Sequence, residues 1–236
     1  ILTHKEAVDK GLILPVKPIL IKSGVSAKEE EVENGIGQLV DEAFYRLKEE
    51  FPNLGTKLLI ASTGSKQMMT FINSQEYKDL LSDNVHILTV HSNVELKTYN
   101  GKEITRKEFN ILKDKLGSNP EIDLIIVHYD ILAEGIDIQG LTGVLILRQM
   151  KLAKFLQTIG RVIRIYRKNP ELKPHGVVMF PDIVNKDLVE AFVDMIKSIN
   201  QEGYIPSEIL TEFLISGSND ETELGLGTEP PITSSI

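Results

Sequence analysis

The chain has 236 residues, 42% of them apolar and 25% charged, enough apolar side chain for one large domain or a medium domain with an appendage. It contains no cysteine, which excludes a disulfide framework and any cysteine-based metal site, and its net charge of −8 argues against a protein coated with nucleic-acid-binding surface. No apolar run approaches the length of about 18 residues that a membrane helix needs, and no basic stretch followed by an apolar one opens the chain. No membrane partner and a cytoplasmic location are therefore expected. The first residue is Ile1, which reads as a piece of a longer or processed protein.

Residues 1–25 carry LILPVKPIL with two prolines and read as extended, linker-like chain. Ser26 with Glu29 forms a candidate capping box, and Val32, Ile36, Leu39, Val40, Ala43, Phe44 and Leu47 continue at helical spacing until Pro52 and Gly55. GIGQLV, from Gly35 to Val40, lacks the third glycine of a dinucleotide fingerprint and lies inside this helix, not after a strand. KLLIA (57–61) reads as a strand, STGSK as a loop, and Met68 to Ile72 as helix. VHILTV (85–90) is a second strand, YNG (99–101) a turn, and Thr105 with Glu108 a second capping box that opens a helix to Leu116. Strands follow at 123–128, 143–148 and 176–180, with a helix at 151–166. Helices are expected at about 186–199 and 207–215, then an acidic tail, 216–236, rich in Ser, Thr, Gly and Pro.

The central strands are unbroken apolar runs, so both their faces should be buried, as in a parallel sheet between helical layers. Ligands of such sheets sit at the carboxyl ends of the strands. That draws attention to the stretch 129–142, and makes Ser62, Thr63, Gly64 and Ser65, His91, Ser92 and Asn93, and Arg148 and Lys151 candidate contacts for nucleic acid.

Two stretches carry candidate chemistry. In ILAEGIDIQG (131–140), Gly135 permits a close backbone approach, and Asp137 is a short acceptor suited to a hydroxyl or an arginine. A plain turn at Gly135 capped by Asp137 is the alternative. In QTIGRVIRI (157–165), Gln157, Gly160, Arg161 and Arg164 fall along one flank of the expected helix. Two guanidinium groups there suit a polyanion such as a triphosphate; the alternative is that both reach out to solvent. Between Arg148 and Pro174 lie eight basic residues and a single acidic one, Glu171, so a basic face stands out on an acidic protein. No GxxxxGK[ST] loop occurs; Thr63-Gly64-Ser65-Lys66 lacks its first glycine and its spacing.

Taken in order, strand, EGIDI, LIL and QTIGRVIR resemble the second RecA-like domain of superfamily 2 helicases and translocases, with a flavour of restriction-enzyme motor subunits and phage or repair DNA helicases. EGID matches motif V of that family, QTIGRVIR motif VI, and KLLIAS (57–62) takes the place of motif IV. HGVVMFPD resembles the strand that follows motif VI, and residues 7–19 the passage between the two RecA-like domains. The resemblance implies a three-layer α/β RecA-like fold of the P-loop NTPase type, with a mainly parallel sheet and helical extensions. It implies residues 1–25 as interdomain passage, 26–185 as the domain, and 186–215 as C-terminal helices. It implies Arg161 and Arg164 as arginine fingers, and Gln157, Gly135 and Asp137 near the nucleotide. ATP and Mg²⁺ would be held mainly by a first RecA-like domain of the full-length protein, so that the present chain alone is inactive. Tyr129 and Glu134 depart from motif V residues common in RNA helicases. DNA is therefore the expected nucleic acid, with restriction-modification or repair subunits as possible further partners. The competing reading is a non-catalytic nucleic-acid- or protein-binding module that keeps the fold. A metabolic Rossmann enzyme lacks its glycine fingerprint here.

Overall fold

The computed structural model describes residues 4–21, 35–91, 96–129, 138, 140–148 and 150–181. In chain order these form α1 (His4–Asp9), β1 (Val16–Ile21), α2 (Ile36–Glu50), β2 (Lys57–Ala61), α3 (Ser65–Asn73), α4 (Gln75–Ser82), β3 (His86–His91), β4 (Leu96–Tyr99), β5 (Lys102–Glu103), α5 (Arg106–Gly117), β6 (Leu124–Tyr129), β7 (Gly143–Ile146), α6 (Leu152–Val162) and β8 (Gly176–Pro181). A single turn of 3₁₀-helix, Pro170–Leu172, precedes β8.

The strands form one sheet in the order β1-β8-β7-β2-β6-β3-β4-β5. The six strands from β1 to β3 in that order are parallel, and β4 and β5 extend the far edge in antiparallel pairing. The unbroken apolar runs are split alternately between the two faces. Leu58, Ile60, Ile125, Val127, Leu145, Val177 and Met179 meet Leu39, Phe44, Leu47, Met68, Phe71 and Leu80 of α2, α3 and α4. Leu59, Leu124, Ile126, Val144, Ile146, Val178 and Phe180 meet Phe109 and Leu116 of α5 and Phe155, Ile159 and Val162 of α6. The result is the expected three-layer, mainly parallel arrangement, because a period of two sends each strand's apolar residues to opposite helical layers.

The structure amends several sequence expectations. The proline-containing passage holds β1, which pairs in parallel with β8 over its whole length, so Val16–Ile21 belong to the domain sheet and are not free linker. Pro18 is tolerated because β1 is an edge strand. The segment after Met68 is two helices, broken where Ser74 caps α4 by accepting from the Tyr77 amide at 3.1 Å. YNG makes a tight hairpin between β4 and β5, with Asn100 at φ 49° and Gly101 at φ 78°, the left-handed pair such a turn needs. The Thr105–Glu108 capping box is present in full. Gly37 inside α2 has a packing reason: a Cβ there would lie 2.9 Å from Ser74 Oγ at the start of α4. The proposed Ser26–Glu29 cap, the helices after 186 and the acidic tail lie outside the described residues. Among the described residues no helix is long and apolar enough to cross a membrane.

A candidate nucleotide-facing cavity and a separate strand-end surface

The residues singled out from the sequence fall into two groups at opposite ends of the sheet. The first group occupies the carboxyl ends of the central strands. Thr63 is exposed, and Gly64 and Ser65, half-exposed, begin α3. Lys151 is exposed at the start of α6. Ser62 is different: it is fully buried, and both its amide and its hydroxyl donate to the His128 carbonyl at 3.0 Å. Its side chain therefore ties β2 to β6 and does not face a ligand, which corrects its place among the candidate contacts.

His91 is also buried, at 6% exposure. Its ring stacks on Tyr129 with centroids 4.7 Å apart and 12° between planes. The Arg148 guanidinium lies 4.7 Å from the centre of the same Tyr129 ring. Cation–π contact of this kind holds a guanidinium in place while leaving its charge intact. Burial lowers the pKa of His91, so it favours the neutral imidazole. His91 is thus part of a stacked support beneath Arg148, with Tyr129 as the shared member. Tyr129 was legible only as a departure from a motif. Ser92, Asn93, Gly135 and Asp137 lie outside the described residues.

The second group lies at the amino ends of β1, β7 and β8. There a cavity of about 560 Å³ is lined by Leu12, Ile138, Gly140, Arg161, Arg164, Tyr166 and Lys173, among others. Arg167 and Lys168 complete its lining cations, and no Asp or Glu borders it among the described residues. Arg161 is half-exposed and Arg164 exposed. α6 ends at Val162, so Arg161 leaves from the last helical turn and Arg164 from the bend after it. They converge on one cavity without sharing a helix flank. Gln157, one turn earlier, is exposed and does not line the cavity. A side chain at Gly160 would meet nothing within 4 Å among the described residues.

Sequence reasoning missed Lys173. It is 1% exposed, and its ammonium donates to the carbonyls of Val162 at 2.6 Å and Arg164 at 3.0 Å. Burial pushes its pKa down to about 7. Nothing in ELKPHG marks it, because its partners lie nine and eleven residues back and meet it only once the chain folds. Among the described residues no cluster of three His, Cys, Asp or Glu side chains could hold a metal ion.

The helicase conserved C-terminal domain family matches residues 50–166, from the end of α2 to Tyr166 beyond the paired arginines. None of the curated proteins matches the chain by sequence. Among solved structures, the type ISP restriction-modification enzyme LlaBIII bound to DNA is similar at 15% identity and a TM-score of 0.52, over 84% of this chain and 15% of that one. The C-terminal domain of S. cerevisiae Dbp5, in complex with Gle1 and IP6, is similar at 15% identity and a TM-score of 0.47, over 78% of this chain and 85% of that one. Domain 2 of the DEAD-box helicase Mss116p bound to an RNA duplex is similar at 17% identity and a TM-score of 0.45, over 85% of this chain and 84% of that one. The chain thus spans most of the isolated helicase domains and a small part of the restriction enzyme. With its sheet, its layers and its matched residues, the chain carries a helicase conserved C-terminal domain over residues 50–166, on a RecA-like fold.

Proposed function

We propose that this chain is the C-terminal motor half of an ATP-dependent DNA helicase or translocase, and that Arg161 and Arg164 act as its arginine fingers. The observation that carries the reading is the cavity at the strand amino ends, where both arginines meet Arg167, Lys168 and Lys173, with no carboxylate in the lining among the described residues. A cavity so charged favours a polyphosphate and disfavours a neutral ligand. The phosphate-cradling loop is absent from the sequence, so the triphosphate belongs mainly to a first RecA-like domain that closes against this one. The carboxylates for a metal are likewise expected from that domain; Mg²⁺ bound there would offset charge on the phosphates. This chain's own part is to bring two planar donors to the γ-phosphoryl as the domains close. There they stabilise charge that spreads over its oxygens in the transition state, an effect worth ~10³–10⁵ in rate.

The nucleic acid would run over the opposite end of the sheet, against Thr63, Gly64, Ser65, Lys151 and the stacked Arg148. Backbone amides and cations there suit phosphates and carry little base readout. DNA is favoured over RNA because Tyr129 stands where RNA helicases commonly place threonine. The restriction enzyme among the similar structures is bound to DNA and the Mss116p domain to an RNA duplex, and stimulation of hydrolysis by DNA against RNA separates the two readings. Residues 186–215 and the tail would be appendages to this domain, and residues before β1 the passage from the first.

The test is nucleic-acid-stimulated ATP hydrolysis by the full-length protein. Stimulation by DNA, lost in Arg161→Ala, is expected. DNA-stimulated turnover at the wild-type rate in that variant would contradict the assignment.

A further inference from the structure

The turn that carries the two arginines is held open from outside. The carbonyls of Val162, Ile163 and Arg164 would, in a continuing helix, accept from amides four residues on. Instead the Val162 and Arg164 carbonyls accept from Lys173 Nζ, at 2.6 and 3.0 Å, and the Ile163 carbonyl accepts from the Leu14 amide at 2.8 Å. α6 therefore stops at Val162 although no glycine or proline follows until Pro170. Lys173 itself is fixed by the 3₁₀ turn, its amide donating to the Pro170 carbonyl at 3.3 Å.

Stability alone does not account for this lysine. Its ammonium meets two neutral carbonyls and not a carboxylate, and it shares its neighbourhood with Arg161 and Arg164. A buried cation without a carboxylate partner is costly, and an apolar side chain of the same length would avoid that cost while leaving the two carbonyls without this donor. Burial pushes the amine down to about 7, yet even the neutral amine keeps two N–H donors for its two acceptors. The bonds to the turn survive in either form.

Resting on the reading of Arg161 and Arg164 as fingers, we infer that Lys173 is their positioning residue: by clamping the Val162 and Arg164 carbonyls it unwinds the end of α6 and aims both guanidinium groups into one cavity. Without the clamp, the helix can run on through Arg164, which would set that side chain beside Arg161 on the helix flank and change its aim into the cavity. Misplacing a catalytic donor by about 1 Å can cost ~10²-fold in rate.

The experiment is a double-mutant cycle in the full-length protein, reading kcat and KM for ATP with saturating single-stranded DNA. Lys173→Met should lower kcat by about 10²-fold with KM changed about threefold or less, because binding in the ground state rests on the other domain. In an Arg164→Ala background the same change should cost less than about twofold, since the arginine it positions is gone. Should Lys173→Met fail to fold, Lys173→Gln, which keeps an N–H₂ donor on a shorter stem, carries the same cycle. Equal losses in both backgrounds would mean a merely structural role and overturn the inference. So would an unchanged kcat in Lys173→Met beside a slow Arg164→Ala, and this result would leave the finger reading intact. If Arg164→Ala itself turned over normally, the finger reading would fail and the positioning role with it.

Discussion

Arg164 is exposed while Lys173, directly behind its backbone, is almost wholly buried, and the two make opposite contributions. Arg164 adds little to folding, because the interactions of an exposed cation are weakened by solvent screening. Arg164→Ala should therefore leave the thermal midpoint of the domain within about 2 °C while lowering kcat by about 10³-fold. Arg164→Lys should recover little of that loss, because a point charge does not reproduce a planar fork. Circular-dichroism melts beside steady-state turnover check both halves. Lys173 predicts a pH effect on stability. Its folded-state pKa, about 7, lies below its ordinary value of 10.5, so between those limits the unfolded chain binds more protons than the folded one. Stability should then rise with pH from about 7 towards 10. Lys57, buried at the start of β2 and lowered to about 8, acts with the same sign. Melts of wild type and Lys173→Met across that range should show the wild type gaining on the variant as pH rises; a constant difference would contradict the burial argument. The paired arginines were legible from QTIGRVIRI, because glycine-arginine spacing is local. Lys173 was not, because its partners are carbonyls, which every residue has. The burial of Ser62 and His91 was not legible for a related reason: a polar residue at a strand end can turn to solvent or to the neighbouring strand, and only the pairing of β2, β6 and β3 decides which.

At the scale of elements, the parallel strands were readable because both faces are buried, and KLLIA, LIIV, GVLI and GVVMF stand out as apolar runs. β1 was hidden by Pro15 and Pro18, which mark an edge position as readily as a linker. The end of α6 was set four residues too late, since nothing in RIY stops a helix; Lys173 and Leu14 do so by taking its carbonyls. α6 matters because it supports the arginine turn. Its inner face is Phe155, Ile159 and Val162, all essentially buried, with Phe155 against Phe180 of β8 at 6.1 Å between centroids. Phe155→Ala should destabilise the domain by about 3–5 kcal/mol, through lost burial and the cavity left behind, as chemical denaturation would measure. Thr105→Ala, at the capping box of α5, should cost only about 1 kcal/mol, and it lies far enough along the sheet to spare turnover.

For the whole molecule, the consequence of the topology is separation. The carboxyl ends of the central strands present Thr63, Ser65, Arg148 and Lys151, and the amino ends present the arginine cavity, so the proposed nucleic-acid and nucleotide sites share no side chain. Charge reversal at Arg148 and Lys151 together should weaken DNA binding by the full-length protein and make the log–log salt dependence shallower by about two. KM for ATP should stay within about twofold when DNA is saturating. Unchanged affinity at low salt would remove these residues from the DNA surface. The account depends most on the arginines acting on a phosphoryl group held by another domain, and chemistry isolated from product release tests this most directly. That measurement is single-turnover hydrolysis of ATP bound to the full-length protein with DNA present, comparing wild type with Arg164→Ala. The predicted result is a hydrolysis step slowed by about 10³-fold with ATP affinity nearly unchanged. A hydrolysis step at the wild-type rate in Arg164→Ala would contradict it.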